Sequence, residues 1–325
     1  MRLLVTGGAG YIGSVVGAQL ISDGHEVVVL DDLSTGHADE VPAGAAFEHG
    51  SLRADAGRVL GTGFDAVLHF AAKSLVAESA AKPALYWDNN LGGTLALLEA
   101  MHQAQVPSIV FSSTAAVYGE PGSVPIEETA PPRPTSPYGG SKIAVDTALA
   151  EYARMHGMGA VSLRYFNVAG ACQQANGSWL GERHAPETHL IPNVLAVALR
   201  GDGEVSVFGE DYPTPDGTCI RDYIHVSDLA RAHLLALPAC ASGQHKVYNL
   251  GSGTGYSNRE VLAACREVTG RDIPARMAPR RAGDPAVLVA SSERIRADLG
   301  WRAQRDLKDM VADAWTFAQT RPDSR

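Results

Sequence analysis

Short apolar runs alternate with amphipathic stretches through the first two-thirds of the chain, the pattern of a parallel sheet covered by helices on both faces. Compact apolar runs predict strands over Arg2–Thr6, His25–Leu30, Asp65–Phe70, Ser108–Ser112 and Ala160–Leu163. Apolar residues three and four apart predict helices over Tyr11–Asp23, Ala84–Ala104 and Tyr138–His156. The proline-rich stretch Glu120–Pro137 reads as loop. After about Tyr165 the texture changes. Gly170–Thr188 is polar and irregular, and shorter segments follow over Ile191–Arg200, Ser227–Leu237 and Asn258–Thr269. Val247–Leu250 reads as a strand that rejoins the first sheet. The expected fold class is α/β: a doubly wound parallel sheet over residues 1–166 and a smaller mixed C-terminal domain over 167–325, with about 219–250 returning to the first domain.

Composition narrows the classes of function. Of 325 residues 45% are hydrophobic, enough for a sizeable core, and 34 are glycine, which points to tight turns and close backbone approach to ligands. The net charge of −9 argues against a broad nucleic-acid or anionic-membrane surface. An anionic ligand must then be met by local arginines or by helix N-termini. Cys172, Cys219, Cys240 and Cys265 are far apart, with no C-x-x-C and no Cys/His pair at metal-site spacing, so no metal site is expected and the thiols read as small hydrophobes. No apolar run approaches the ~18 residues that span a bilayer. The chain enters a glycine-rich loop five residues after its start, too soon for a signal-peptide core, and a cytoplasmic location is expected.

That loop, Gly7-Gly8-Ala9-Gly10-Tyr11-Ile12-Gly13, lies between a predicted strand and a predicted helix. Gly7 permits a sharp turn, Gly10 lets backbone approach a pyrophosphate, and Gly13 allows close helix–sheet packing, the signature of a Rossmann-type dinucleotide site. The following helix turns free N–H groups and a favourable dipole toward the phosphates. The next strand ends at Asp31-Asp32, eighteen residues after Gly13. A carboxylate there accepts from adenosine ribose hydroxyls and repels a 2′-phosphate, so NAD is favoured over NADP.

Tyr138 and Lys142 stand at i and i+4 on one helical face. Free tyrosine has a pKa of about 10. An ammonium roughly 6 Å away, at an effective dielectric of about 20, favours phenolate by nearly 3 kcal/mol, so Tyr138 is expected to be lowered by about two units and to act as a general base. A hydroxyl from Ser112-Ser113-Thr114, at the C-terminal end of its strand, completes the set, with Thr114 placed to share a hydrogen bond with a substrate hydroxyl.

These motifs resemble the extended short-chain dehydrogenase/reductase superfamily and, within it, the UDP-glucose (UDP-galactose) 4-epimerases. The similarity runs almost end to end, through Asp31–Gly36, Leu68–Ala72, Asn89–Thr94, Phe111–Gly119, Pro137–Lys142, Leu163–Asn167, Phe208–Val226 and Arg280–Asp284. The resemblance implies an NAD-binding domain over 1–166, a UDP-sugar domain over 167–325, a homodimer paired through Ala84–Ala104 and Tyr138–His156, and a place in sugar-nucleotide metabolism. It implies reversible inversion at C4 through a transient 4-keto sugar. Tyr138 would be the acid and base, Lys142 would orient the nicotinamide ribose, and Thr114 would bond the reacting oxygen. NAD contacts are expected from Gly7, Gly10, Tyr11, Ile12, Gly13, Asp31, Asp32, Ser34, Thr35, Gly36, Leu52, Phe70, Ala71, Ala72, Asn90, Ser112, Tyr138, Lys142 and Phe166. Substrate contacts are expected from Thr114, Tyr138, Asn167, Leu190, Phe208, Arg221, Arg281 and Asp284.

Some positions depart from the family pattern. Ser51 stands where an aspartate is usual, which weakens an adenine contact. Gly17 in the first helix costs about 1 kcal/mol against alanine unless it serves packing. Leu288 occupies a position tied in the family to the size of the sugar pocket and is neither bulky nor small, so N-acetylhexosamine substrates stay open. A 4,6-dehydratase would need an acid and a base after the strand hydroxyl, where this chain has Ala115-Ala116. A dehydrogenase that releases its reduced cofactor is the remaining alternative.

Overall fold

The computed structural model describes residues 1–281 and 284–321; Ala282 and Gly283 of the Arg280–Asp284 motif lie outside the described residues. Its centre is a seven-stranded sheet. β1 (Arg2–Thr6), β2 (Glu26–Asp31), β3 (Ala46–His49), β4 (Ala66–His69), β5 (Ser108–Thr114) and β6 (Gly159–Tyr165) join with a late strand, His245–Leu250. The order across the sheet is His245–Leu250, β6, β5, β4, β1, β2, β3, and every pairing is parallel. Strand order reverses between β1 and β4, so a crevice opens beyond their C-terminal ends.

Two apolar layers cover the sheet, as the buried runs require. On one face, α1 (Tyr11–Ser22) and the later helix Val226–Ala236 bury Val15, Val16, Leu20, Leu229 and Ala230 against Leu3, Val5, Val161 and Leu163. On the other, α2 (Leu52–Leu60) and the helices Gly93–Gln103 and Pro137–His156 bury Leu60, Leu97, Leu98, Val145 and Leu149 against Leu4, Val67, Ile109 and Ala160. Each fully buried valine, leucine or isoleucine among these contributes roughly 1.5–3 kcal/mol relative to exposure. Gly17 serves packing: a Cβ there would lie 2.9 Å from Pro42 Cγ.

The stretch expected as one helix over Ala84–Ala104 is divided. A short helix, Pro83–Tyr86, runs into a π-helical turn, Trp87–Gly92, before the α-helix Gly93–Gln103. The apolar spacing continues across the turn, so periodicity does not reveal it. The local widening buries Asn90, which is 2% exposed.

The C-terminal part forms small mixed sheets. Ile220–His225 pairs in parallel with Asn167–Ala169 and Val287–Leu288, and antiparallel with Gly255–Ser257. Val205–Phe208 pairs with Ala275–Ala278. Between residues 219 and 250, the strand Ile220–His225 belongs to this smaller assembly, whereas Val226–Ala236 packs on the first core and His245–Leu250 completes the large sheet.

Candidate active site

One cavity of about 810 Å³ runs along the crevice, from the glycine loop past the end of β5 to Leu288. Local sterics dictate the loop. Gly7 has φ +72°, and a Cβ there would lie 2.5 Å from Ala71 N. A Cβ on Gly13 would lie 2.3 Å from Gly7 O, so helix and loop are in backbone contact. Gly10 differs: its Cβ would meet nothing nearer than Gly7 O at 3.4 Å. Protein packing therefore leaves space at Gly10, the N-cap of α1, and no side chain caps that helix. Free N–H groups and open space at a helix N-terminus suit a pyrophosphate, so the residues present fit a dinucleotide.

Asp31 is buried, and its carboxylate accepts from Ala9 N (3.0 Å) and Leu33 N (2.8 Å), tying the glycine loop to the end of β2. Asp32 is exposed and accepts from Ser34 N at 2.9 Å. Both line the cavity, with Tyr11, Ile12, Ser34, Thr35, Gly36, Leu52, Phe70, Ala71 and Ala72. Ser51 also lines it and caps α2, accepting from Ala54 N at 3.3 Å.

Asn90 lies behind the cavity wall. Its side chain accepts from Lys73 N (2.9 Å) and donates to Lys73 O (3.0 Å) and Ser141 Oγ (3.1 Å). It thus joins the segment after β4 to the helix that carries Tyr138 and Lys142. His69 makes a comparable bridge, from Thr6 Oγ1 (2.7 Å) to Thr94 Oγ1 (2.8 Å), and burial pushes it down to about 3, so its imidazole is neutral.

Thr114, Tyr138 and Lys142 line the same cavity beyond the end of β5. Ser136 caps their helix, accepting from Gly139 N at 3.2 Å, and Pro137 takes its first turn. Thr114 hydrogen-bonds the Tyr138 phenol, and the Tyr86 ring meets Tyr138 edge-on at 6.4 Å. Lys142 Nζ donates to Ser112 O at 2.8 Å and lies 4.8 Å from the Phe111 ring centre. Ser112 Oγ bonds the Tyr165 hydroxyl.

The electrostatics differ from the expectation of a lowered tyrosine. Burial pushes the Tyr138 phenol up, and only the Thr114 hydrogen bond opposes it. Burial also pulls Lys142 down to about 7, with Asp146 acting the other way. Desolvation is the largest cause for both groups, and it is a cost that a charge pair at fixed separation does not include.

Asn167, Phe166 and Leu288 line the cavity, and so do Ala115 and Ala116. The other expected substrate residues, Leu190, Phe208, Arg221, Arg281 and Asp284, are not among those that line the cavity, although Arg221 pairs in register with Leu288, which does. Arg221 forms an ion pair with Asp284, and the Arg281 guanidinium lies 4.2 Å from the Phe208 ring centre. Leu190 opens the helix Leu190–Arg200. Sequence reasoning missed one group entirely. Glu182, His184, Glu187 and His189 converge, the first, second and fourth of them lining the cavity, in a stretch read only as polar and irregular. The Glu-x-His-x-x-Glu-x-His spacing was the available signal.

A parallel sheet with its crevice at the switch point, a glycine cradle with room for pyrophosphate, and a tyrosine–lysine–threonine set across from it define a nicotinamide-dinucleotide enzyme scaffold. A family profile described as "NAD dependent epimerase/dehydratase family" matches residues 3–251, and the chain belongs to that family. It is 56% identical to a UDP-glucose 4-epimerase of Streptomyces lividans over 99% of this chain and 97% of that one. It is 52% identical to the UDP-glucose 4-epimerase of Corynebacterium glutamicum over 98% and 95% of the two chains. A crystal structure of UDP-glucose 4-epimerase from Stenotrophomonas maltophila, with bound NAD and formylated UDP-arabinopyranose, superposes with TM-score 0.94 at 40% identity and covers 100% of both chains.

Proposed function

We propose that this chain is an NAD-dependent UDP-glucose 4-epimerase that interconverts UDP-glucose and UDP-galactose. The observation that carries this reading is the meeting of Tyr138, Thr114 and Lys142 with the glycine loop in one cavity, walled on the substrate side by Asn167 and Leu288. Residues 1–166 hold the cofactor through the α1 N-terminus, Asp31, Asp32 and the loop Ser34–Gly36. Residues from 167 onward hold the nucleotide, with Arg221 and Arg281 on the diphosphate, Asp284 on the uridine ribose and Phe208 against the base.

Bound NAD would supply a reversible hydride acceptor at C4 of the sugar. Tyr138 takes the proton from the 4-hydroxyl and later returns it, while Thr114 bonds the reacting oxygen. Burial keeps the Tyr138 phenol protonated, and a positive charge beside it would favour its ionisation. Lys142, anchored on Ser112 O, orients the nicotinamide ribose. Inversion requires the 4-keto sugar to present its other face, which favours a loose hold on the hexose and a firm one on the nucleotide. Ala115 and Ala116 cannot transfer protons, which disfavours dehydration. Conversion of UDP-galactose to UDP-glucose without net change in absorbance from reduced cofactor tests the reading. Net reduction would identify a dehydrogenase, and turnover of only the N-acetylated sugars would move the substrate class.

The enzyme is a cytoplasmic homodimer in this reading. Leu85, Trp87, Leu95 and Met155 are exposed on the helical elements expected to pair, which supports a dimer, and the four cysteines are free. Sedimentation of Trp87→Asp should give monomers.

A further inference from the structure

Between the strand Trp179–Gly181 and the helix Leu190–Arg200, four side chains offer donor atoms that all lie within 4.8 Å of one another. We propose that Glu182, His184, Glu187 and His189 bind one divalent transition-metal ion, with Zn2+ the ion their chemistry favours. The proposal does not depend on the epimerase reading.

Both imidazoles turn the same nitrogen inward. His184 Nδ1 and His189 Nδ1 lie 3.0 and 2.7 Å from one atom, Glu182 Oε1. The Glu182 side chain is only 8% exposed, so this carboxylate is placed by the fold and not by solvent. Glu187 Oε1 is fully engaged by Thr188 N (2.7 Å), His189 N (2.8 Å) and His189 Nδ1 (2.8 Å). Its other oxygen, Oε2, lies 3.7 Å from His184 Nδ1. Two imidazole nitrogens and two carboxylate oxygens form a tetrahedral set in which donors stand about 3.3 Å apart when each is ~2.0–2.1 Å from zinc. The separations of 2.7, 3.0 and 3.7 Å between neighbouring donors bracket that spacing.

The surroundings hold the segment in place. Arg183 binds Asp39 and Glu40 at 3.0 Å, and His37 Nε2 meets Arg183 O at 2.9 Å. On the far side, Asn193 Nδ2 donates to His189 O at 2.9 Å. The two carboxylates balance the ion's charge, and the mixed nitrogen and oxygen donors favour Zn2+ over Mg2+ or Ca2+, which prefer all-oxygen shells. A bound ion would cross-link residues 182–189 where they border the cavity, a structural staple outside the reacting groups.

The test uses the untagged chain, dialysed against chelator and titrated calorimetrically with Zn2+ alone. One ion per chain with a Kd near 1 µM or tighter is expected, together with visible absorption bands of a tetrahedral site when Co2+ is substituted. His184→Gln and Glu187→Gln should each weaken binding about 100-fold, while His102→Gln, in the exposed His102–His156 pair, should leave it unchanged. Thermal melts of both variants report whether they fold, and either folded variant suffices. Substoichiometric binding, or equal loss in His102→Gln, would overturn the proposal.

Discussion

The two sides of the crevice are built differently. On the glycine-loop side, backbone touches backbone: Gly7 packs on Ala71, Gly13 on Gly7, and the Asp31 carboxylate is bonded to two N–H groups. Little there has to move when a dinucleotide arrives. Beyond Leu288, at the other end, side chains meet one another: Arg221 pairs with Asp284, and the Arg281 guanidinium covers the Phe208 ring. In the proposed function a UDP-sugar displaces those contacts and is held by the same groups, so the cofactor side is preorganised for long residence and the substrate side for exchange, the division expected of an enzyme that regenerates its cofactor in each cycle and releases only the nucleotide sugar.

The comparison breaks most directly at the tyrosine. Tyr138→Phe should lower kcat by ~10³-fold or more, with NAD content and UDP affinity nearly unchanged. Single-turnover assays with calorimetric binding check this, and a Phe variant of normal turnover would remove Tyr138 from the mechanism. On the rigid side, Gly13→Ala should cut NAD affinity by about 100-fold, because the new methyl collides with backbone that cannot yield. Fluorescence titration of the stripped protein measures it.

Lys142 sharpens the comparison through pH. Its folded value of about 7 lies below that of a free lysine, so the unfolded chain binds the extra proton between about 7 and 10.5. Stability should therefore rise with pH across that window. Below about 7 the buried charge is destabilising in full. Lys142→Met should raise stability by roughly 2–3 kcal/mol at pH 6, and the advantage should fade toward pH 10.5, as urea midpoints at several pH values would report. On the exchangeable side, Asp284→Asn should raise KM for the UDP-sugar only about tenfold with little change in kcat, a loss near 1.4 kcal/mol. A fall in kcat instead would place Asp284 in the chemistry.

Legibility in the sequence followed the same division. The glycine loop, the strand leading to Asp31 and the helix bearing Tyr138 were readable because each follows from local spacing. The π-turn over Trp87–Gly92 was not, because apolar spacing continues through it while the reason for it, the Asn90 clamp, is tertiary. The direction of the Tyr138 shift was misread because desolvation depends on neighbours far along the chain. The Glu182–His189 cluster is not legible from cysteine spacing, because its donors are carboxylates and imidazoles in an irregular stretch that only the fold draws together.

The late strand His245–Leu250 has a wider implication. Because it edges the large sheet beside β6, the polypeptide enters the smaller sheets and then returns. The two parts are interlaced, so the C-terminal part could not be traded for a counterpart from another protein without stripping an edge strand from the large sheet. Change is thereby channelled into short stretches such as Val287–Leu288, whose two residues can vary while the large sheet stays intact.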